Sequence, residues 1–172
     1  IDVTEGFENI KPFTLPFETD FKFYTIAQFI PRKNFKTLLD AYWTEFEGND
    51  KVNLILKTYR ITYVDKEIEL IENDITAWKR ALNLKQYPNV YLVTKLLIDT
   101  QIKWLHQTGS CYVNASSGEG WGRGMQEAAL AAKPIISGNN GGITDYLNSE
   151  QYYPVKSNSV PIELTTWIPW YH

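Results

Sequence analysis

The residues best suited to chemistry lie in one stretch: Ser116-Ser117-Gly118-Glu119-Gly120-Trp121-Gly122-Arg123-Gly124. Its closely spaced glycines let backbone N–H groups approach a ligand. A helix opening behind them adds free N–H groups and a partial positive charge, which together make an anion site with phosphate as the usual occupant. A flexible turn uses the same glycines, so two glutamates carry the discrimination. Glu119 sits inside the loop, where a carboxylate repels phosphate but accepts hydrogen bonds from hydroxyls, as on a sugar. Glu127 falls about one turn into the expected helix, among Ala128, Ala129, Ala131 and Ala132, small residues that let a helix pack close to a sheet. A carboxylate there suits a ribose diol, because it accepts two hydroxyl hydrogen bonds; an exposed helix acid is the plainer alternative. Arg32 and Lys33 form a second candidate, cations at the end of an expected strand that would complement a diphosphate or simply be solvated.

These residues need a scaffold, and the hydrophobic pattern supplies one. Lys22 to Phe29 is β-branched and aromatic and reads as a strand. Asn34 is placed to cap the following helix, in which Phe35, Leu38, Leu39, Tyr42, Trp43 and Phe46 form one apolar stripe. Val52 to Lys57 is a nearly continuous apolar run, as expected of a strand covered on both faces. A helix over 65–82 turns Ile68, Ile71, Ile75, Trp78 and Leu82 inward. Val90 to Thr94 is a strand, and Asp99 caps a short helix carrying Ile102 and Leu105. Cys111 to Ala115 is a strand, Gly124 to Ala132 a helix, Ile135 to Ser137 a strand and Thr144 to Leu147 a short helix. Alternation of this kind predicts an α/β fold: a Rossmann-like parallel sheet with helices on both faces. Ligands then sit at the carboxyl ends of the strands, where both candidate loops fall.

Composition narrows the partners. The chain has 172 residues, 44% hydrophobic and 22% charged, enough for one globular domain. Residues 1–20, with Pro12 and Pro16, read as a lead-in to a domain over 21–172. A net charge of −3 gives no basic face for nucleic acid. The single cysteine, Cys111, excludes an internal disulfide and fits a reducing compartment. With two histidines beside it, no zinc site is expected. No run is apolar enough to span a bilayer and no signal peptide is evident, so the expected location is cytoplasmic, with peripheral membrane association of the full protein left open. Aromatics at 15% are expected mainly in the core, with Trp167 and Trp170 available to dock on another domain. His106 and His172 are read as structural or solvent residues. A dinucleotide fingerprint belongs after the first strand, but Ile30-Pro31-Arg32-Lys33-Asn34 has no glycine, and no G-x-x-x-x-G-K-[ST] occurs.

Glu119 and Glu127 form an E-x7-E arrangement within GEGWGRGMQEAALAAKPIISGNNGG, residues 118–142. This resembles the retaining GT-B glycosyltransferases of family four. Lys33-Asn34 and Leu38-Leu39-Asp40-Ala41 resemble that family's first helix. Asn89 to Leu105 resembles the strand and helix that flank the base, Lys133-Pro134-Ile135-Ile136 with Gly141-Gly142 resembles the run after the E-x7-E helix, and Ile1-Asp2-Val3 resembles its interdomain linker. The resemblance covers nearly the whole chain. It departs at Ala27-Gln28, where the family commonly has Gly-Arg with the arginine on diphosphate, and at Arg123-Gly124, where it has Leu-Pro.

The resemblance implies a donor-binding domain for a nucleoside-diphosphate sugar, UDP- or GDP-linked, with no further cofactor and no metal. It implies that Glu119 contacts the donor sugar, that Gly120, Trp121 and Gly122 face sugar and diphosphate through their backbone, and that Glu127 holds the ribose. Lys33 pairs with the diphosphate and helps it depart, Arg32 takes the place of the missing arginine, Arg123 stands near the donor or in solvent, and the backbone near Lys95 and Leu96 meets the base. The glycan or other acceptor is expected on a preceding domain outside this chain, and the chain is expected to be inactive alone and truncated at its C-terminus. A non-catalytic nucleotide- or carbohydrate-binding module is the main alternative. A glycosidase, needing two carboxylates roughly 5–9.5 Å apart, leaves the glycine loop unexplained.

Overall fold

A computed structural model of the chain describes residues 15, 16 and 19–158. Pro12, the Ile1-Asp2-Val3 stretch, Trp167, Trp170 and His172 lie outside the described residues. Six strands form one all-parallel sheet: β1 (Phe21–Ile26), β2 (Val52–Lys57), β3 (Asn89–Val93), β4 (Cys111–Asn114), β5 (Ile135–Gly138) and β6 (Tyr153–Val155), in the order β3-β2-β1-β4-β5-β6. Between them run α1 (Phe35–Glu45), α2 (Asp65–Leu82), α3 (Asp99–Thr108), α4 (Arg123–Leu130) and α5 (Ile143–Tyr146).

The expected α/β architecture is the observed one. All six residues of β2 are buried, because helices cover both faces of the sheet. On one face Leu54 and Leu56 pack with Phe35, Leu39 and Trp43 of α1 and Ile71 and Ile75 of α2. On the other, Tyr24, Ile55, Val93 and Tyr112 pack with Leu105 of α3, Met125 and Ala128 of α4 and Ile143 of α5. Alternation along each strand decides which face a residue serves. Many of the described aromatics lie in or against the core: Phe29 stacks on Phe35 with ring centres 4.8 Å apart, and Trp43 meets Tyr87 edge-on.

Several boundaries differ from the sequence reading. The first strand ends at Ile26, three residues early, because the Gln28 amide donates to the Arg60 carbonyl and Phe29 turns into the core against Trp78. Pro31 to Lys33 then make a single 3-10 turn. Asn34 does precede α1, but it does not cap it through its side chain. Its backbone is left-handed (φ 52°), its N–H closes the 3-10 turn on Pro31, and its Oδ1 accepts from the Thr37 hydroxyl. Asn tolerates that conformation better than most residues. Asp99 is the first residue of α3 rather than its cap; Ile98 holds the cap position and donates its N–H to Gln101 Oε1. α4 begins at Arg123 and ends at Leu130, short of Ala132, whose φ is 53°. β6 was not anticipated. It has three residues, is exposed and contains Pro154, which an edge strand accepts because its outer side needs no donor.

Candidate functional site at the β1/β4 crevice

From β1 the chain steps outward to β2 and β3, then returns to place β4 on the other side of β1. That reversal opens a crevice at the carboxyl ends of β1 and β4, where open α/β sheets bind ligands. The two loops singled out in the sequence meet there. Ser117 donates its N–H to the Arg32 carbonyl at 2.8 Å, and the Arg32 guanidinium donates to the Gly118 carbonyl. Lys33 Nζ forms an ion pair and hydrogen bond with Glu119 Oε2, and Arg32 Nη1 lies 3.7 Å from the same oxygen. The Lys33 and Glu119 side chains are only 15% and 17% exposed, so this is not a pair of solvated surface charges.

The glycines divide by role. At Gly122, φ is +79° and a Cβ would fall 2.2 Å from Met125 Cε, so glycine is required by the fold at the turn into α4. A Cβ at Gly118 or Gly120 would meet nothing within 4 Å. Among the described residues nothing demands glycine there, and the space in front of the loop is open. The loop is clamped from behind by the segment after β5. Gly142 donates its N–H to the Glu119 carbonyl at 3.3 Å, and a side chain at Gly142 would strike the Gly120 carbonyl at 2.2 Å. Among the described residues, no backbone carbonyl accepts from the N–H of Gly120, Trp121 or Gly122. With the N-terminus of α4 immediately behind, these donors suit an anion.

Glu127 projects from α4 and is held at both oxygens. Oε2 lies 3.4 Å from His106 Nε2 on α3, and Oε1 lies 3.3 Å from Arg123 Nη2. His106 is fully buried, and its Nδ1 shares a 2.9 Å hydrogen bond with the Tyr24 hydroxyl. Burial pushes the Glu127 carboxyl up, but the hydrogen bond and charge of His106, with Arg123, outweigh it and hold the group below the usual carboxylate range. Glu127 is therefore a partly buried, oriented acceptor rather than a loose helix acid. Arg123 is mostly in solvent while bonded to it.

Trp121 is partly exposed; its indole N–H donates to Gln126 Oε1 at 2.9 Å and its ring lies 5.2 Å from that of Tyr146. Leu96 is exposed in the loop after β3, two strands from β1 along the same edge. The structure thus gathers Arg32, Lys33, Glu119, Gly120, Trp121, Gly122, Arg123 and Glu127 around one crevice, and leaves Leu96 apart from them in the exposed loop after β3. His106, read as a structural or solvent residue, is fully buried and structural; its link to Glu127 was not foreseen, because a lone histidine in the last turn of a helix carries no spacing that marks it. The burial of Lys57 at the end of β2 was likewise not legible, because a lysine closing a strand reads as a solvated terminus. Chemically, the crevice offers cations and N–H donors for a polyanion, flanked by two oriented carboxylates able to accept from hydroxyls.

The sequence profile of the family described as glycosyl transferases group 1 matches residues 6–160, and the chain belongs to that family. The fold is that of the C-terminal domain of GT-B glycosyltransferases. It is similar to the C-terminal domain of the group 1 glycosyl transferase LpcC of Francisella tularensis, with a TM-score of 0.64 at 12% identity over 83% of this chain and 70% of that one. It is also similar to HepE of Anabaena, solved in complex with UDP and glucose (TM-score 0.56, 20% identity, 74% of this chain and 32% of that one). A third similar structure is the pneumococcal O-GlcNAc transferase GtfA, in complex with UDP and GlcNAc (TM-score 0.56, 17% identity, 87% and 28%). The chain thus spans about a third or less of the latter two proteins. No curated protein matches it in sequence. Among the described residues, no helix is long and apolar enough to cross a membrane.

Proposed function

We propose that this chain is the donor-binding part of a retaining glycosyltransferase that moves a sugar from a nucleoside diphosphate to an acceptor held by a preceding domain. The observation that carries the reading is the convergence of Lys33, Arg32, Glu119 and the open glycine loop at the β1/β4 crevice, with Glu127 fixed on the helix behind. UDP in the HepE and GtfA complexes supports a nucleoside diphosphate as the ligand class.

In this reading the diphosphate lies against the N–H groups of Gly120, Trp121 and Gly122. Lys33 and Arg32 neutralise it, Glu119 accepts from donor-sugar hydroxyls, and Glu127 accepts from the ribose diol. The bond between the anomeric carbon and the diphosphate oxygen breaks with its electron pair passing to the diphosphate. The acceptor oxygen bonds to the anomeric carbon, and its proton passes to the departing diphosphate oxygen. Fixed N–H donors and Lys33 lower the barrier by stabilising the charge that grows on the leaving oxygen. Neither Glu119 nor Glu127 is assigned as a nucleophile.

The test is a thermal-shift panel with UDP, GDP, ADP and their sugars on the protein and on Glu127→Ala. A ligand at 100 times its dissociation constant adds about 2.7 kcal/mol of stability. The expected result is a shift with one base that disappears in the variant. A shift of equal size in Glu127→Ala would remove the ribose role, and no shift with any nucleotide would remove the reading.

A further inference from the structure

Lys57 closes β2 in register with Ile26 of β1 and Val93 of β3. Strand alternation sets it on the same face as Ile55, the face covered by α3 and α4. It is buried, at 4% exposure, and its Nζ has no hydrogen-bond partner among the described residues. Among the described residues the only compensation is ring faces: Nζ lies 4.8 Å from the Tyr63 ring centre and 5.8 Å from that of Tyr59. The two rings stack on each other at 5.0 Å. Burying an ammonium whose three N–H donors find no acceptor is costly, and ring faces offset only part of it. An aliphatic side chain would fill this row, beside Ile26, Ile55 and Val93, without that cost. Burial correspondingly pushes the amine down to about 8. What the site lacks is an oxygen.

The crevice says where one would come from. If Lys33 and the glycine loop hold a diphosphate over β1 and β4, and Glu127 holds a ribose beside α3, the nucleoside runs from β1 toward the loop after β3. β2, which Lys57 closes, lies between β1 and β3 in the sheet, and Thr58 is bonded through its N–H to the Val93 carbonyl at the root of that loop. Resting on the nucleotide-sugar reading above, we propose that Lys57 is the base-selecting residue of this chain: the Tyr59 and Tyr63 rings that cover Nζ part as the nucleobase enters, and Nζ then donates to a ring carbonyl of the base. Uracil and guanine carry such a carbonyl; adenine presents an amino donor there instead, which an ammonium repels.

The experiment is titration calorimetry of the intact protein with UDP, GDP and ADP, on wild type, Lys57→Met, Lys57→Gln and Glu127→Ala. Wild type is expected to prefer UDP or GDP to ADP, and which of the two is preferred names the base. Lys57→Met should weaken the preferred nucleotide roughly 10- to 100-fold, the worth of one charged hydrogen bond, and erase the discrimination against ADP. Lys57→Gln, which keeps a donor, should retain part of the preference, and it serves as the reporter should the methionine variant not fold. An unchanged preference in both Lys57 variants, with binding lost in Glu127→Ala, overturns this assignment and leaves the nucleotide site standing. A wild type that prefers ADP also overturns it. A wild type that binds none of the three overturns the nucleotide reading along with it.

Discussion

The ammonium of Lys33 and the carboxylate of Glu119 meet although 86 positions separate them in the chain. One comes from the turn after β1 and the other from the glycine loop after β4, so the pair exists only because the sheet order sets those strands side by side. A diphosphate entering the crevice must share Lys33 with Glu119. Glu119→Gln removes the competing charge and keeps the shape. Binding of the bare nucleoside diphosphate is then expected to hold or tighten, while the extra affinity contributed by the donor sugar falls roughly 10-fold as a charged acceptor is lost. Calorimetry with the diphosphate and its sugar conjugate side by side checks this. Equal weakening of both ligands would mean that Glu119 does not face the sugar.

Glu127 links the site to the core through His106 and Tyr24. Its folded carboxyl sits below its ordinary value of 4.5, so the unfolded chain binds the proton more readily. The contribution to stability is therefore present above that ordinary value and is lost as pH falls through the lower folded value. Glu127→Ala should cost about 1.5–3 kcal/mol at neutral pH, the worth of a hydrogen bond to a charged group. The difference from wild type should close as the medium is acidified below the carboxylate range. Urea unfolding at several pH values measures it; a gap that persists unchanged in acid would show that packing, not the charged contact, is what the variant loses.

Lys57 has the opposite sign. Its amine titrates at about 8 instead of the usual 10.5, so between those values the unfolded state holds a proton that the folded state has released. Stability gained from this group rises with pH across that window, and below it the buried charge is a standing cost. Lys57→Met removes the cost. The variant is expected to be more stable than wild type by on the order of 1–3 kcal/mol at pH 7. The advantage should shrink as pH climbs from about 8 to about 10.5. Denaturation midpoints against pH decide it, and a variant less stable than wild type at pH 7 would mean that the Tyr63 ring contact outweighs desolvation.

What could be read in advance follows from where the physics is local. The apolar run Val52 to Lys57 and the stripe from Phe35 to Phe46 announce their elements because burial on two faces, or on one, leaves a period in the sequence. The crevice residues were legible because glycine spacing and a carboxylate within it are rare together. His106 and Lys57 were not, since their significance is that each is buried with, or without, a partner from another strand or helix. Asn34 failed as a cap for a related reason: Pro31 starts a 3-10 turn that forces the asparagine into a left-handed backbone, which turns its side chain toward Thr37. The three residues of β6 are too few to show alternation, and what defines them is pairing with β5.

The glycines of the loop provide the sharpest separation of fold from function. Gly142 has ordinary helical angles, but an added Cβ would lie 2.2 Å from the Gly120 carbonyl oxygen and 2.6 Å from Trp121 Cα. Those are backbone atoms that cannot rotate away, so Gly142→Ala must shift the loop, at a cost of roughly 1–3 kcal/mol as for other forced overpacking. Gly120→Ala meets nothing within 4 Å and needs no left-handed backbone. Reduced freedom of the unfolded chain should even add about 0.4–1 kcal/mol. Gly120→Ala is therefore expected to melt at or slightly above the wild-type temperature while losing most of its nucleotide affinity, because the methyl group occupies the space in front of the loop. Gly142→Ala should lose stability and binding together. Melting curves with and without the preferred nucleoside diphosphate distinguish the two variants. If Gly120→Ala binds as wild type does, the diphosphate does not lie against this loop, and the anion site must be sought at Lys33 and Arg32 alone.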